Sequence, residues 1–76
     1  MKHEGIIVRD TEIMAGKPCI KGTRITVELI LRKLSEGASV QYIMQAYPHI
    51  NEDQIYACID YALSIMLNEE VIELSA

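Results

Sequence analysis

The chain has no tryptophan and no phenylalanine, and its four aromatic residues are all tyrosine. A core without those rings must be aliphatic, with Met14, Met44 and Met66 as adaptable filler. Long apolar runs are missing too, which excludes a membrane span, and the opening MKHEGIIVRD lacks the apolar stretch of a secretory signal. The only two cysteines, Cys19 and Cys58, stand far apart without CxxC spacing. Reduced thiols in a cytoplasmic protein are the expectation. The last shortage is of one sign of charge: no Lys or Arg follows residue 33.

That shortage divides the chain. All seven bases (Lys2, Arg9, Lys17, Lys21, Arg24, Arg32 and Lys33) precede residue 34, beside four acids. The remainder carries seven acids, Glu36, Glu52, Asp53, Asp60, Glu69, Glu70 and Glu73, and the net charge is −4. So complete a split points to two faces with different partners, against the plainer reading of an unevenly charged, solvated surface. A chain of 76 residues makes one domain, burying only roughly 60% of the surface its unfolded form exposes. Half its residues are apolar, a surplus that suggests cover by another subunit.

Residues 1–25 read as an extended β arm and loop. Ile6-Ile7-Val8 is β-branched and predicts a strand near Ile6–Arg9. Gly16 and Pro18 mark a tight loop before a second extended piece near Pro18–Lys21, with Gly22 at a further turn. A two-stranded ribbon is barely stable alone, so it must lie on the helices or pair with a second copy, which makes Ile6, Ile7 and Val8 candidate contacts of a homodimer.

Residues 26–68 read as a trihelical core. Thr26 caps a helix to about Ser35 whose Val27, Ile30, Leu31 and Leu34 form one stripe; Glu28 and Arg32 pair four apart on the other face; Gly37 ends it. Ser39 caps a second helix, with Val40, Ile43, Met44 and Tyr47, stopped by Pro48. Asn51 and Gln54 form a capping box for the third, whose stripe is Ile55, Cys58, Ile59, Ala62, Leu63 and Met66, running to about Asn68. Residues 69–76 are a tail. The expected fold class is mainly α: a three-helix, helix-turn-helix or homeodomain-like (winged-helix-like) core with a short N-terminal β arm or hairpin.

Catalysis has little material. His3 sits at an expectedly mobile terminus, His49 lies in a loop, and neither gives Cys19 the context of a catalytic thiol. Histidines without i, i+4 spacing and scattered cysteines make no zinc site. No catalytic, metal or cofactor site and no small-molecule substrate is expected, and Glu52 and Asp53 fit a helix N-terminus structurally. The helix-turn-helix shape suggests DNA, yet the third helix offers Glu52, Asp53, Tyr56, Asp60 and Ser64, which repel phosphates rather than read bases. Nucleic-acid contacts would come from Lys17, Lys21, Arg24, Arg32 and Lys33, for which ordinary solubility is the alternative. Arg24 has two readings, a clamp on loop carbonyls and helix ends near His49, which is favoured, or a phosphate contact.

The stretch Gly16-Lys17-Pro18-Cys19-Ile20-Lys21-Gly22-Thr23-Arg24-Ile25 resembles the domain-of-unknown-function family numbered 433, with its Gly-x-Pro-x-Ile-x-Gly-Thr-Arg-Ile core. Likeness continues through Val27-Glu28, Leu34 to Gly37, Ile43, Tyr47-Pro48-His49-Ile50 and the Asp53–Ala62 helix, covering the chain from Ile6 to about Asn68. The resemblance implies a small trihelical protein paired with a PIN-like ribonuclease toxin. The expected function is thus an antitoxin, dimeric, that holds the toxin and binds operator DNA; the alternative is a stand-alone DNA-binding regulator. Glu69, Glu70, Val71, Ile72 and Leu74 are the candidate toxin contacts, apolar anchors steered by carboxylates.

Overall fold

The computed structural model describes residues 3–75, with side chains as far as Leu67. The order is β1 (Ile7–Val8), β2 (Cys19–Ile20), α1 (Val27–Ser35), α2 (Val40–Ala46) and α3 (Glu52–Ser75). β1 and β2 pair antiparallel, Ile7 opposite Ile20 and Val8 opposite Cys19. The fold is therefore mainly helical, three helices with a two-stranded ribbon near the N-terminus.

Helix ends follow the local chemistry of the sequence. The Thr26 hydroxyl accepts the Leu29 N–H at 3.0 Å, and the Ser39 hydroxyl accepts that of Tyr42 at 3.0 Å. At α3 the Asn51 side-chain oxygen accepts the Gln54 N–H at 2.8 Å, and Gln54 Oε1 accepts the Asn51 N–H at 2.7 Å, a closed capping box. α1 ends in a Schellman motif: the Ala38 N–H reaches the Lys33 carbonyl, and that of Gly37, at φ 99°, reaches Leu34.

Between the strands the chain makes a left-handed turn through Met14 (φ 51°), Ala15 (φ 57°) and Gly16 (φ 82°). Only the last is a residue without steric objection to that region. From β2 the chain turns into α1 at a corner built by Thr23, whose hydroxyl donates to the Ile20 carbonyl (2.7 Å) and accepts the Ile25 N–H (3.0 Å). Gly22 there stands at φ 81°.

The core is small and aliphatic. Ile20, Val27, Ile30, Ile43, Ile50, Ile55 and Cys58 form it, with Ile7, Leu31, Leu34, Val40, Met44, Tyr47 and Tyr61 packed around them. The expected stripes of α1 and α2 thus face inward. The stripe of α3 does so only in part: Ile55 and Cys58 are buried, together with Ala57, whereas Ile59, Leu63 and Met66 are exposed. The period was read across a helix that is apolar on all sides, so spacing alone did not select its inner face. α3 also continues to Ser75 instead of ending near Asn68, because nothing between them, neither Gly nor Pro, stops it.

The arm is the expected two-stranded ribbon, and it lies on the helices of its own chain. β1 has its partner in β2, and Ile7 packs on the core. His3, expected to be mobile, is anchored: its Nδ1 lies 2.5 Å from Asp60 Oδ2, and its ring stands edge-on to Tyr61 with centroids 5.4 Å apart. Contacts 57 residues apart in sequence have no local signature.

Candidate functional site

α3 is the element whose chemistry its own domain does not use up. At about 1.5 Å per residue its 24 residues run about 36 Å, against a longest molecular dimension of 43 Å. Its first half delivers Ile55, Ala57 and Cys58 to the core. By contrast Tyr56, Ile59, Leu63, Met66 and Leu67 stand 40 to 58% exposed. Their spacing of three and four keeps them on one side of the helix. Exposed Glu52 and Asp53 flank the N-terminal end of this face. A helix apolar all round requires cover on its outer side as well as its inner one.

A second apolar feature lies where the α3 inner face runs past the core. There α1 and α3 frame a groove of about 560 Å³. Pro18, Val27, Leu31, Tyr61, Ala62 and Ile65 supply its apolar lining, with Lys17, Glu28 and Arg32 among them. Glu28 ties the two cations together, at 3.4 Å from Lys17 Nζ and 2.9 Å from the Arg32 guanidinium. Lys17 foremost, then Arg32, hold the Glu28 carboxyl below its ordinary pKa.

The five basic candidates separate into different places. Lys17 and Arg32 meet at Glu28 in the groove. Lys21 and Arg24 are exposed on the corner between β2 and α1, and neither side chain makes a hydrogen bond or ion pair with a described residue. Lys33 is half-buried and lines a depression with Glu36, Gly37, Ala38, Ser39 and Tyr42. Among the described residues Arg24 makes no clamp; Thr23, beside it, satisfies the corner with its hydroxyl. Asp60, read as a free carboxylate on the third helix, is engaged by His3, which holds its carboxyl below its ordinary pKa.

Ile6, Ile7 and Val8 are all half-buried within their own chain. The side chains of Glu69, Glu70, Val71, Ile72 and Leu74 lie outside the described ones.

The thiols are placed as structure. Cys19 is buried and donates to the Lys17 carbonyl at 3.3 Å, and His49 is exposed without a described bonding partner. Cys58 is buried among aliphatic groups, which pushes its thiol up to about 12. Among the described residues no three His, Cys, Asp or Glu side chains cluster as a metal site, and no helix is long and apolar enough to cross a membrane. What the described surface offers is apolar area bordered by charge, the chemistry of protein docking. Sequence reasoning found the residues of the α3 outer face but placed most of them in the core. It missed the groove, whose α1 and α3 walls are 26 or more residues apart in the chain.

Comparison with known proteins adds a family without an assigned role. The family model described as "Protein of unknown function (DUF433)" matches residues 7–62. A similar protein is the uncharacterized protein y4eO of Sinorhizobium fredii (strain NBRC 101917 / NGR234), 28% identical over 57 residues. The match covers 75% of this chain and 26% of y4eO, so the chain spans about a quarter of that relative's length. No solved structure matches.

Proposed function

Since the chain belongs to the DUF433 family, of unknown function, its role has to be argued from its own surfaces, and we propose that it is an antitoxin-like binding protein without catalytic function that holds a PIN-like nuclease toxin. The observation that carries this reading is the outer face of α3, Tyr56, Ile59, Leu63, Met66 and Leu67, apolar, exposed and bordered by Glu52 and Asp53. Nuclease grooves present cationic or metal-bearing surfaces to phosphates, so an inhibitor gains encounter rate and selectivity from carboxylates around an apolar anchor. The resemblance of the Gly16–Ile25 stretch to antitoxin-like proteins supports the same reading.

The test is whether a PIN-like nuclease gene adjoins this one and whether co-expression of the protein relieves the growth arrest that nuclease causes. The expected result is relief by the wild type and at least a tenfold loss of affinity when Ile59 and Leu63 are both changed to Asp, since interface anchors of this size carry about 1–2 kcal/mol each. Wild-type protein that neither relieves the arrest nor copurifies with the nuclease overturns the proposal.

Operator DNA is a second ligand of this reading. Lys21 and Arg24 are exposed and unpaired among the described residues, whereas Glu28 occupies Lys17 and Arg32. Replacing Lys21 and Arg24 by Ala then lowers the salt slope of DNA binding by about 0.9 per lost phosphate contact. An unchanged slope removes that corner from the DNA surface.

A further inference from the structure

We infer that the groove between α1 and α3 is the seat of a second copy of this chain, which lays the C-terminal turns of its own α3 into it and receives the same in return. The inference leaves the toxin face of Ile59 and Leu63 free and gives Glu69, Glu70, Val71, Ile72 and Leu74, expected from sequence as toxin contacts, to the second copy instead.

Three observations carry it. Ile65, on the groove wall, is 42% exposed, although it lies one and two turns beyond Tyr61 and Cys58 on the inner side of the helix. The core side of α3 therefore continues past the core that covers it. Next, the groove is open and apolar, with Val27, Leu31, Ala62 and Ile65 in its lining, so an apolar helix face fits it and a polar ligand does not.

The third observation is charge. Lys17 and Arg32 share the single carboxylate of Glu28, which leaves the groove one positive charge in excess. The segment after Leu67 contains Glu69, Glu70 and Glu73 interleaved with Val71, Ile72 and Leu74, and no base. It has the composition that an apolar groove with a cationic edge selects, and this same chain supplies it.

A two-fold axis beside Ile65 makes the exchange reciprocal. The α3 helices then run antiparallel, and the acidic end of each comes to the Lys17 and Arg32 side of the other. Because the axis lies well C-terminal to the middle of the described α3 face, the acidic ends stay clear of Glu52 and Asp53 of the opposite copy. An isologous contact of this kind closes at two subunits.

Sedimentation equilibrium of the full chain is the test, and the expected mass is twice 8.6 kDa. Ile65→Glu should give a monomer with an unchanged circular dichroism spectrum, since the side chain is outside the core. Charge exchange gives the decisive readout. A chain with Lys17→Glu and Arg32→Glu, and another with Glu69→Lys, Glu70→Lys and Glu73→Lys, should each dimerise at least about tenfold more weakly than wild type, because like charges then face each other. Mixed in equal amounts they should form a heterodimer, both of whose grooves again meet a segment of opposite charge. A monomeric wild type at about 100 μM, a concentration at which even weak specific pairs associate, overturns the inference. So does a mixture no more dimeric than its components.

Discussion

Thr23 shows how much one hydroxyl does in a chain of this size. It accepts and donates within the turn from β2 to α1: the Ile25 N–H finds its partner in it, and the Ile20 carbonyl, which also accepts the Thr23 N–H at 3.0 Å, gains a second donor. Thr23→Val keeps the shape and removes both bonds, so it should lower unfolding free energy by about 1–3 kcal/mol. Arg24→Ala, one residue on, should stay within about 0.5 kcal/mol, because the guanidinium touches no described partner. Urea denaturation of the two variants measures the contrast, and a larger loss from Arg24 would restore the clamp. Cys58 gives a prediction in pH. Its folded thiol is pushed up to about 12 from an ordinary 9.0 by burial. The folded state therefore keeps its proton while the unfolded chain loses one, so the contribution of this group is intact below pH 9 and declines above it toward 12. Thermal melts at pH 8 and pH 10 should show a smaller alkaline loss for Cys58→Ala than for the wild type, whatever the variant costs at neutral pH.

At the scale of the element, α3 separates two kinds of apolar residue that look alike in sequence. Ile55 is fully buried and Leu63 half exposed, two turns further along the same helix. Ile55→Ala should cost about 2–5 kcal/mol through lost burial and the cavity left behind. Leu63→Ala should cost under about 0.5 kcal/mol in the monomer, as surface changes do. Equal losses in chemical denaturation would mean that both sides are covered within one chain. The helix ends were legible because caps are local: Thr26, Ser39, the Asn51–Gln54 pair and Gly37 act within three or four residues of themselves. The C-terminal limit of α3 was not legible, since the chain supplies no stop signal there, and neither was its inner face, since apolar residues surround it.

Across the whole molecule the ribbon ties the ends of the chain together. β1 closes over β2, Ile7 joins the core, and His3 holds Asp60 on α3. Deleting residues 1–10 removes the strand partner of Cys19 and Ile20 together with the His3–Asp60 contact. In a domain with so few fully buried side chains, the truncated chain should unfold at a markedly lower temperature and expose apolar surface to a dye such as ANS. A deletion that melts where the wild type does would make the arm an appendage rather than a part of the core. The division of charge also takes on a spatial meaning at this scale. The described bases lie on the ribbon, its loops and α1, while the acids concentrate in α3, the helix that extends beyond the rest.

The sequence by itself determined the three helices and their N-terminal caps, the ribbon, the inner stripes of α1 and α2, and the two-part distribution of charge. Each depends on residues within a turn or a strand of one another, where spacing and capping chemistry act directly. Only the tertiary structure decided which side of α3 enters the core, that the ribbon lies on the helices of its own chain, that His3 is held by Asp60, and that the Thr23 hydroxyl completes the corner before α1. It alone formed the groove, by bringing Lys17 and α1 against Tyr61, Ala62 and Ile65. Those outcomes depend on which distant surfaces bury one another, and a pattern of period 3.6 on a helix apolar all round carries no record of that choice.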